Sequence, residues 1–220
     1  MKRYIFLISL LFLTVSSTLY AQKRRTPIKP APKKTAAAAT APLTEISAKD
    51  FGAVTAALDK EDWTQAAFLS SLALAKLKTE NGKKQLAQIR YFYLYALAGK
   101  TAQGKMPYSE LEKIAGKFIG EEFLMPRRTI LADCTGKVNY ICAVKDDHQT
   151  LRVTATDRAA NIHSFEYVKL DEAFDLTEMD GKSAMLGGNL EKIESYANKS
   201  NVRILRLFFT KGFVNIAASR

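Results

Sequence analysis

Glu166 is the residue with the clearest potential for acid–base chemistry. Alternation along a predicted strand places its carboxylate on the same face as four mostly apolar neighbours, namely Ile162, Ser164, Val168 and Leu170. Burial on such a face would raise the pKa of the carboxyl group, as acid or base catalysis requires. The sequence predicts no second carboxylate beside Glu166. A glutamate at the rim of a sheet, paired with a lysine or arginine, is therefore the competing interpretation.

The two histidines offer no metal site. His163 falls on the opposite face of the same predicted strand from Glu166, and His148 lies in a predicted turn beside two aspartates. A metal would need a third ligand at a defined spacing, and none is apparent. We predict no catalytic, cofactor-binding or metal-binding residue. An enzyme centred on Glu166 and His163 is kept as an alternative.

Aromatic and cationic side chains alternate along the same region, which is the pattern of a binding surface. Stacking aromatic rings interleaved with cations hold oligonucleotides and oligosaccharides on small barrels. The candidate ligand-binding residues are Tyr140, Arg152, Phe165, Tyr167 and Lys169. The same residues could also form an ordinary half-buried sheet.

Cys134 and Cys142 are the only cysteines and form the candidate disulfide pair. An oxidising compartment would favour the bond. If residues 135–137 made a tight hairpin turn, Cys142 would lie about 13 Å along its strand from Cys134, which is beyond disulfide reach. A wider excursion of the chain would bring the two together. Both outcomes stay open at this point.

The first 45 residues predict export. A basic start, an apolar run from Tyr4 to Leu13 and the small residue Ala21 have the form of a signal peptide over residues 1–21, with a cut after Ser17 as the alternative. Ten apolar residues are too few to span a bilayer, so we predict no transmembrane segment in the mature chain, which would be secreted or periplasmic. Residues 22–45 are rich in Pro, Ala and Lys and predict a disordered basic linker.

The net charge of +11 is concentrated in this N-terminal part. From Glu45 onward, 25 basic residues face 22 acidic ones. The predicted folded part is only mildly basic, so the overall charge does not argue for nucleic acid as a partner.

Residues 46–120 predict four helices. Ser47 and Asp62 can cap the first two, the third runs over residues 85–98, and Ser109 with Glu112 predicts the start of a fourth that ends near Gly120. The third helix carries the aromatic cluster Tyr91, Phe92, Tyr93 and Tyr95, either as a partner groove or as a helix buried between neighbours.

The third helix also repeats the apolar pattern of the first at an offset of 35 residues, with Phe51 matched by Leu86 and Leu58 by Tyr93. Paired helices at such a period resemble tetratricopeptide-type helical hairpins over residues 47–120. That resemblance implies a protein-binding role; a plain four-helix cap is the alternative.

Residues 121–220 predict a mostly antiparallel β domain. A strand over 123–130 is interrupted by Pro126, and three strands follow over 138–170. Gly187-Gly188-Asn189 predicts a turn into a short helix, and Lys211-Gly212 a hairpin turn. Several short strands with one helix resemble an OB-like barrel, in architecture only.

The sequence thus predicts an α+β chain in which a helical-hairpin domain precedes a small β-barrel or sheet. The function predicted first is an exported, non-enzymatic interaction or structural protein with a protein partner. The alternative is a β module that binds an anionic or glycan polymer, and nucleic acid is not expected.

Overall fold

The computed structural model describes residues 45–77, 83–144, 147–197 and 203–217. The predicted signal peptide and nearly all of the predicted linker lie outside these residues. The fold is α+β, as predicted: helices first, then one mostly antiparallel sheet.

The first two helices begin where their sequence signals predict. Helix α1 spans Ala48–Asp59, and the hydroxyl of Ser47 accepts the backbone N–H of Asp50 at 3.0 Å. Helix α2 spans Trp63–Lys76, and Asp62 accepts the N–H of Gln65 at 3.0 Å. Each cap satisfies a backbone donor that the first helical turn leaves free.

The later helices depart from the predicted bounds. Helix α3 spans Lys83–Ala102, so it runs through the loop predicted to begin at Gly99. An ideal Cβ at Gly99 would lie 2.4 Å from the Trp63 ring, so the missing side chain lets α2 approach α3 closely. Helix α4 spans Tyr108–Ala115 and is preceded by Pro107 in an extended conformation; Ser109 lies inside the helix, so its predicted capping role is wrong. A 3₁₀ turn, Gly116–Phe118, follows.

Within the described residues, seven strands form one sheet: β1 (Glu122–Leu124), β2 (Arg128–Thr129), β3 (Cys142–Val144), β4 (Asp147–Thr156), β5 (Ile162–Leu170), β6 (Ser183–Ala197) and β7 (Arg203–Ile216). The order is β1-β6-β7-β5-β4-β3. Strand β2 pairs with the start of β6, along the same edge of β6 as β1. The β5–β7 pair is parallel and the other pairs are antiparallel. A short helix, α5 (Leu176–Met179), precedes β6.

The sheet is open, so of the predicted barrel or sheet the sheet form is confirmed and the barrel form is wrong for the residues that the structure describes. Its two ends approach each other at one point only, where Ile141, just before β3, forms an isolated parallel bridge with Ile130 after β2. This bridge has two hydrogen bonds, both of 3.0 Å. The N–H of Ile141 donates to the carbonyl of Thr129, and the N–H of Leu131 donates to the carbonyl of Ile141. The sheet is therefore strongly curved but lacks a closing ladder.

The predicted turns at the two glycine sites of β6 and β7 are also wrong, because both strands continue through them with only a local shift of register. A Cβ at Gly187 would lie 2.2 Å from the Phe213 ring, and one at Gly188 would lie 2.9 Å from the carbonyl oxygen of Thr210. At Gly212 it would lie 2.5 Å from the carbonyl oxygen of Lys169. These glycines allow strands to pack closely, so their role is contact rather than reversal.

The first strand of the predicted meander forms only in part. Residues 138–140 are irregular, and Asn139 has a φ of +62°, which is incompatible with a continuous strand. Strand β3 is confined to Cys142–Val144. The second and third predicted strands correspond to β4 and β5, and the alternating residues Leu151, Val153 and Ala155 of β4 are buried.

The core is continuous between the helices and one face of the sheet, which we call the inner face. Helix α3 supplies Ile89, Tyr91 and Leu94 from its side, all buried. The sheet supplies mostly apolar residues, among them Phe123, Leu151, Val168, Leu186, Leu207 and Phe209. None of the described helices combines the length and apolar composition needed to cross a bilayer.

Candidate functional site

Four of the five predicted ligand-binding residues lie on the opposite face of the sheet, which we call the outer face. It is formed by Arg152 and Thr154 of β4, Phe165, Tyr167 and Lys169 of β5, Lys192, Glu194 and Tyr196 of β6, and Arg206 and Phe208 of β7. Every one of these side chains is exposed or half-buried. Tyr140 is the exception among the predicted residues, because it lies in the irregular segment before β3.

The register aligns four outer-face side chains in one row across four neighbouring strands. Arg152 is opposite Tyr167, Tyr167 is opposite Phe208, and Phe208 is opposite Lys192. The Tyr167 and Phe208 rings stack with centroids 5.0 Å apart, and the Lys192 ammonium lies 5.8 Å from the Phe208 centroid. The row therefore places a cation at each end of two stacked rings.

A second cluster lies beside this row. The Arg206 guanidinium sits 4.5 Å from the Tyr196 ring centroid and 6.0 Å from that of Phe165. The two rings meet edge to face at 5.8 Å. Glu194 is the acidic member of this set and forms an ion pair with Lys192. The exposed Glu191 adjoins Lys192 at the bulge of β6, so four cations share this part of the sheet with two carboxylates.

Glu166 lies on the inner face, 1% exposed. Its Oε1 accepts hydrogen bonds from the Tyr91 hydroxyl and the Ser164 hydroxyl, both at 2.9 Å. The Tyr91 oxygen in turn accepts from Nη2 of Arg128 at 3.1 Å. The chain Arg128–Tyr91–Glu166–Ser164 links α3, β2 and β5, and we call it the buried polar chain.

Burial dominates the electrostatics of this chain. It raises the pKa of Glu166, and the opposing effects of the Arg128 charge and the hydrogen bonds from Ser164 and Tyr91 do not cancel it. Burial also raises the pKa of Tyr91 well above the usual tyrosine value, and the Glu166 charge adds to that rise. Tyr91 therefore stays protonated and donates to the carboxylate.

The prediction that His163 lies on the face of the strand opposite to Glu166 is wrong, because both side chains are buried. The β4–β5 register runs from Ala155 opposite Ser164 to Thr156 opposite Ile162, so it skips His163. A bulge of this kind reorients the extra residue. His163 is 3% exposed and packs edge to face on Trp63, with ring centroids 4.8 Å apart.

The partner of His163 is Asp157, whose Oδ2 lies 3.6 Å from Nε2. Burial lowers the pKa of His163, against the raising effect of that carboxylate. Glu166 and His163 therefore contact different groups and form no shared acid–base pair. His148 lies within β4, and Asp146 lies outside the described residues.

A cavity of about 770 Å³ opens beside the buried polar chain. Its walls come from the α1–α2 corner, α3, β2, the segment before β3 and the β4–β5 turn. The residues that matter most for its chemistry are Trp63, Tyr91, Tyr95, Arg128, Asn139 and Tyr140. Its lining, taken from the described part of the chain, includes Arg128 and Tyr91 but not Glu166.

The disulfide holds one wall of this cavity. The structure joins Cys134 and Cys142, with Cα atoms 5.9 Å apart. The chain between them makes the wide excursion that such a bond requires: it turns at Gly136, where φ is +67°, and returns through the irregular residues 138–140. Asn139 is fixed there by accepting from Nη1 of Arg128 at 2.9 Å and donating to the Thr156 hydroxyl at 2.8 Å.

Sequence reasoning missed Arg128, Asn139 and the role of Tyr91. Tyr91 stands out only as part of an aromatic cluster, and Arg128 follows a proline within an interrupted strand. Neither pattern indicates the bond between Tyr91 and Arg128, which are 37 residues apart, or the bond between Tyr91 and Glu166, which are 75 residues apart. Within the described residues, no group of three or more His, Cys, Asp or Glu side chains is arranged to hold a metal ion.

No family model, curated protein or solved structure matches this chain. The resemblances to tetratricopeptide-type hairpins and to the OB-like architecture therefore carry no support from relatives.

Proposed function

We propose that this chain is an exported, non-enzymatic binding protein whose outer face holds an anionic polymer. The observation that carries the proposal is the row Arg152–Tyr167–Phe208–Lys192, which crosses four neighbouring strands. At about 4.8 Å per strand the row is roughly 14 Å long, which suits an extended chain better than a compact ligand. Between its two cations, the paired rings offer a surface for stacking.

The distribution of charge favours a partner that is negative. The outer face carries Arg152, Lys169, Lys192 and Arg206 against Glu194, with Glu191 beside Lys192 at the bulge of β6. The N-terminal segment 22–42 has the same sign, with six basic residues and no acidic one. Two separate parts of the chain with one sign of charge attract the same class of partner.

Two observations support export. The N-terminal pattern is that of a signal peptide. The Cys134–Cys142 bond belongs to an oxidising compartment, because cytosolic thiols are kept reduced. A non-enzymatic role is supported by Glu166, which is enclosed by Tyr91 and Ser164 and shares no partner with His163.

The test compares binding of the mature chain to dextran sulfate and to uncharged dextran of the same length. We expect binding to dextran sulfate that weakens steeply with salt, and none to dextran. The double variant Arg152→Gln/Lys192→Gln removes both cations of the row. It should bind about tenfold more weakly, with a salt slope shallower by about one to two, because two counterion-releasing contacts are lost.

The matched control is Lys137→Gln/Lys182→Gln, which removes two charges from exposed positions that are not on the outer face. It keeps the same net charge as the test variant and the same N-terminal segment, and it should bind within about threefold of wild type. Equal losses in the two variants would contradict the proposal. Capture of a protein without discrimination between the two dextrans would instead favour the protein partner predicted first.

A further inference from the structure

The cavity beside the buried polar chain is a second feature suited to binding, separate from the outer face. Its volume of about 770 Å³ falls within the range of roughly 300–1,000 Å³ that small-molecule sites occupy. Trp63, Phe92, Tyr95 and Tyr140 give it aromatic walls. Such walls suit a flat apolar body, and the specificity of a site of this kind comes from the few polar groups among them.

Arg128 is the polar group that decides the chemistry. Among the described residues it forms no ion pair: Nη1 donates to the Asn139 amide oxygen at 2.9 Å, and Nη2 donates to the Tyr91 hydroxyl at 3.1 Å. A guanidinium has five N–H donors, so these two bonds leave other N–H donors of Arg128 unused. The Nε group is buried without a hydrogen-bond partner.

The charge of Arg128 is therefore held in place without being paired directly. Within the buried polar chain, Glu166 is the acidic residue that can balance the charge of Arg128, and the Tyr91 hydroxyl lies between the two side chains. A guanidinium fork matches the two oxygens of a carboxylate, and the pair gains strength where water is excluded. The cavity thus has a fixed cation with unused donors among aromatic walls.

The other charges of the lining limit the ligand to a single negative charge. Arg127 and Arg158 also line the cavity, and so do the acids Asp59, Glu61 and Asp157. Glu61 accepts the backbone N–H of Arg158 at 2.6 Å, and Asp157 accepts from Asn161 at 2.8 Å. With three acids against three arginines, a dianion such as phosphate would meet more repulsion than a monoanion would.

We propose that this cavity binds a small carboxylate with a flat apolar body. The carboxylate meets the free donors of Arg128, and the body lies against Trp63, Tyr95 and Tyr140. The site does not rest on the outer-face proposal, because it shares no residue with that face.

The chain contains its own reporter of binding. Trp63 is the only tryptophan in the sequence, it is 2% exposed, and its ring lines the cavity. The full mature chain, excited at a wavelength that selects tryptophan, is titrated with 3-phenylpropionate and, in parallel, with 3-phenylpropionamide. The two probes have the same shape, and only the first carries a charge.

We expect a saturable change in Trp63 emission with 3-phenylpropionate and at least about tenfold weaker binding of the amide, because a charge-assisted pair is lost. Arg128→Gln should weaken the carboxylate by a similar factor and leave the amide unchanged. Lys182→Gln is the control: it removes one positive charge from an exposed residue that does not line the cavity, and it should stay within about threefold of wild type.

Three results would overturn the proposal. They are equal affinity for the two probes, equal losses in the Lys182 and Arg128 variants, and no saturable change with 3-phenylpropionate up to about 10 mM. If Arg128→Gln fails to fold, the comparison of the two probes on the wild-type chain still decides the question, because it needs no variant.

Discussion

Glu166 shows how a single buried carboxylate can be held without a direct ion pair. Its Oε1 is bound by two hydroxyls, while Oε2 is buried without a hydrogen-bond partner. The hydroxyls of Tyr91 and Ser164 favour the ionised form, and burial opposes it more strongly, so the pKa lies above the usual glutamate value. Ionising Glu166 therefore costs more in the folded chain than in the unfolded chain.

This balance predicts a pH-dependent effect of Glu166→Gln. A raised pKa in the folded state means that the stability contributed by Glu166 is complete below the unfolded value, about pH 4.3, and is lost as the pH rises through the folded value. The variant has no such loss. Its free energy of unfolding, relative to wild type, should therefore rise as the pH increases above about 4, by roughly 1 kcal/mol for each unit by which the pKa is raised.

Urea unfolding at a series of pH values measures this difference. Glu172→Gln, at an exposed position, is the control and should change stability by less than about 0.5 kcal/mol. A difference between Glu166→Gln and wild type that stays flat, or falls, as the pH rises would show that the pKa of Glu166 is not raised.

At the scale of elements, glycines are the positions at which the local sequence pattern is ambiguous. Gly99, Gly188 and Gly212 each allow a neighbour to approach more closely than a Cβ would permit. The neighbour is distant in the sequence in each case, such as Trp63 for Gly99 and Lys169 for Gly212. A local pattern shows only that glycine is present, so a turn and a close contact look alike before the fold is known.

The contact between α2 and α3 predicts opposite outcomes for two Gly→Ala substitutions within helices. Gly99→Ala should destabilise the fold by about 2–4 kcal/mol, because its Cβ would overlap the ring of the buried Trp63. Gly52→Ala, in the exposed part of α1 with no atom within 4 Å of the added Cβ, should instead stabilise by about 0.5–1 kcal/mol. Thermal and urea unfolding of both variants measure the two values. A loss of under about 0.5 kcal/mol for Gly99→Ala would contradict the proposed close contact.

Local signals in the sequence predict more of the fold than of the candidate sites. The caps of α1 and α2 depend on neighbours three residues away, and the inward face of β4 follows from alternation, so both could be derived from the sequence. The face of Glu166 could be derived in the same way. Its bond to Tyr91 could not, because 75 residues separate the two in the chain. The position of His163 depends on a bulge that alternation cannot reveal.

At the scale of the whole molecule, the disulfide closes a loop that reaches from one end of the curved sheet toward the other. Cys134 follows the bridge residue Ile130, and Cys142 follows its partner Ile141. The bond thus sits beside the single point at which the two ends of the sheet meet. It also restrains Asn139 and Tyr140 in the cavity wall.

Replacing both cysteines by serine should lower the free energy of unfolding by roughly 2–3 kcal/mol, the chain-entropy value for a loop of this size. Urea unfolding measures the loss, and the reduced wild-type chain should match the variant. Alkylation of the unreduced, denatured chain should add no label. Two adducts, or a loss of less than about 0.5 kcal/mol, would contradict a stabilising bond between these residues.

The placement of β7 has a consequence for when this chain can fold. Strand β7 is the last strand of the described fold in sequence, yet it lies in the middle of the sheet and joins β6 on one side to β5 on the other. Among the described residues, the isolated bridge between Ile130 and Ile141 is the only other backbone pairing between the strands on its two sides, and the Cys134–Cys142 bond lies beside it. A ribosome must therefore synthesise the chain to residue 216 before the two halves can unite. Until then the growing polypeptide stays incompletely folded, which is the state in which a chain can be threaded through a narrow membrane channel.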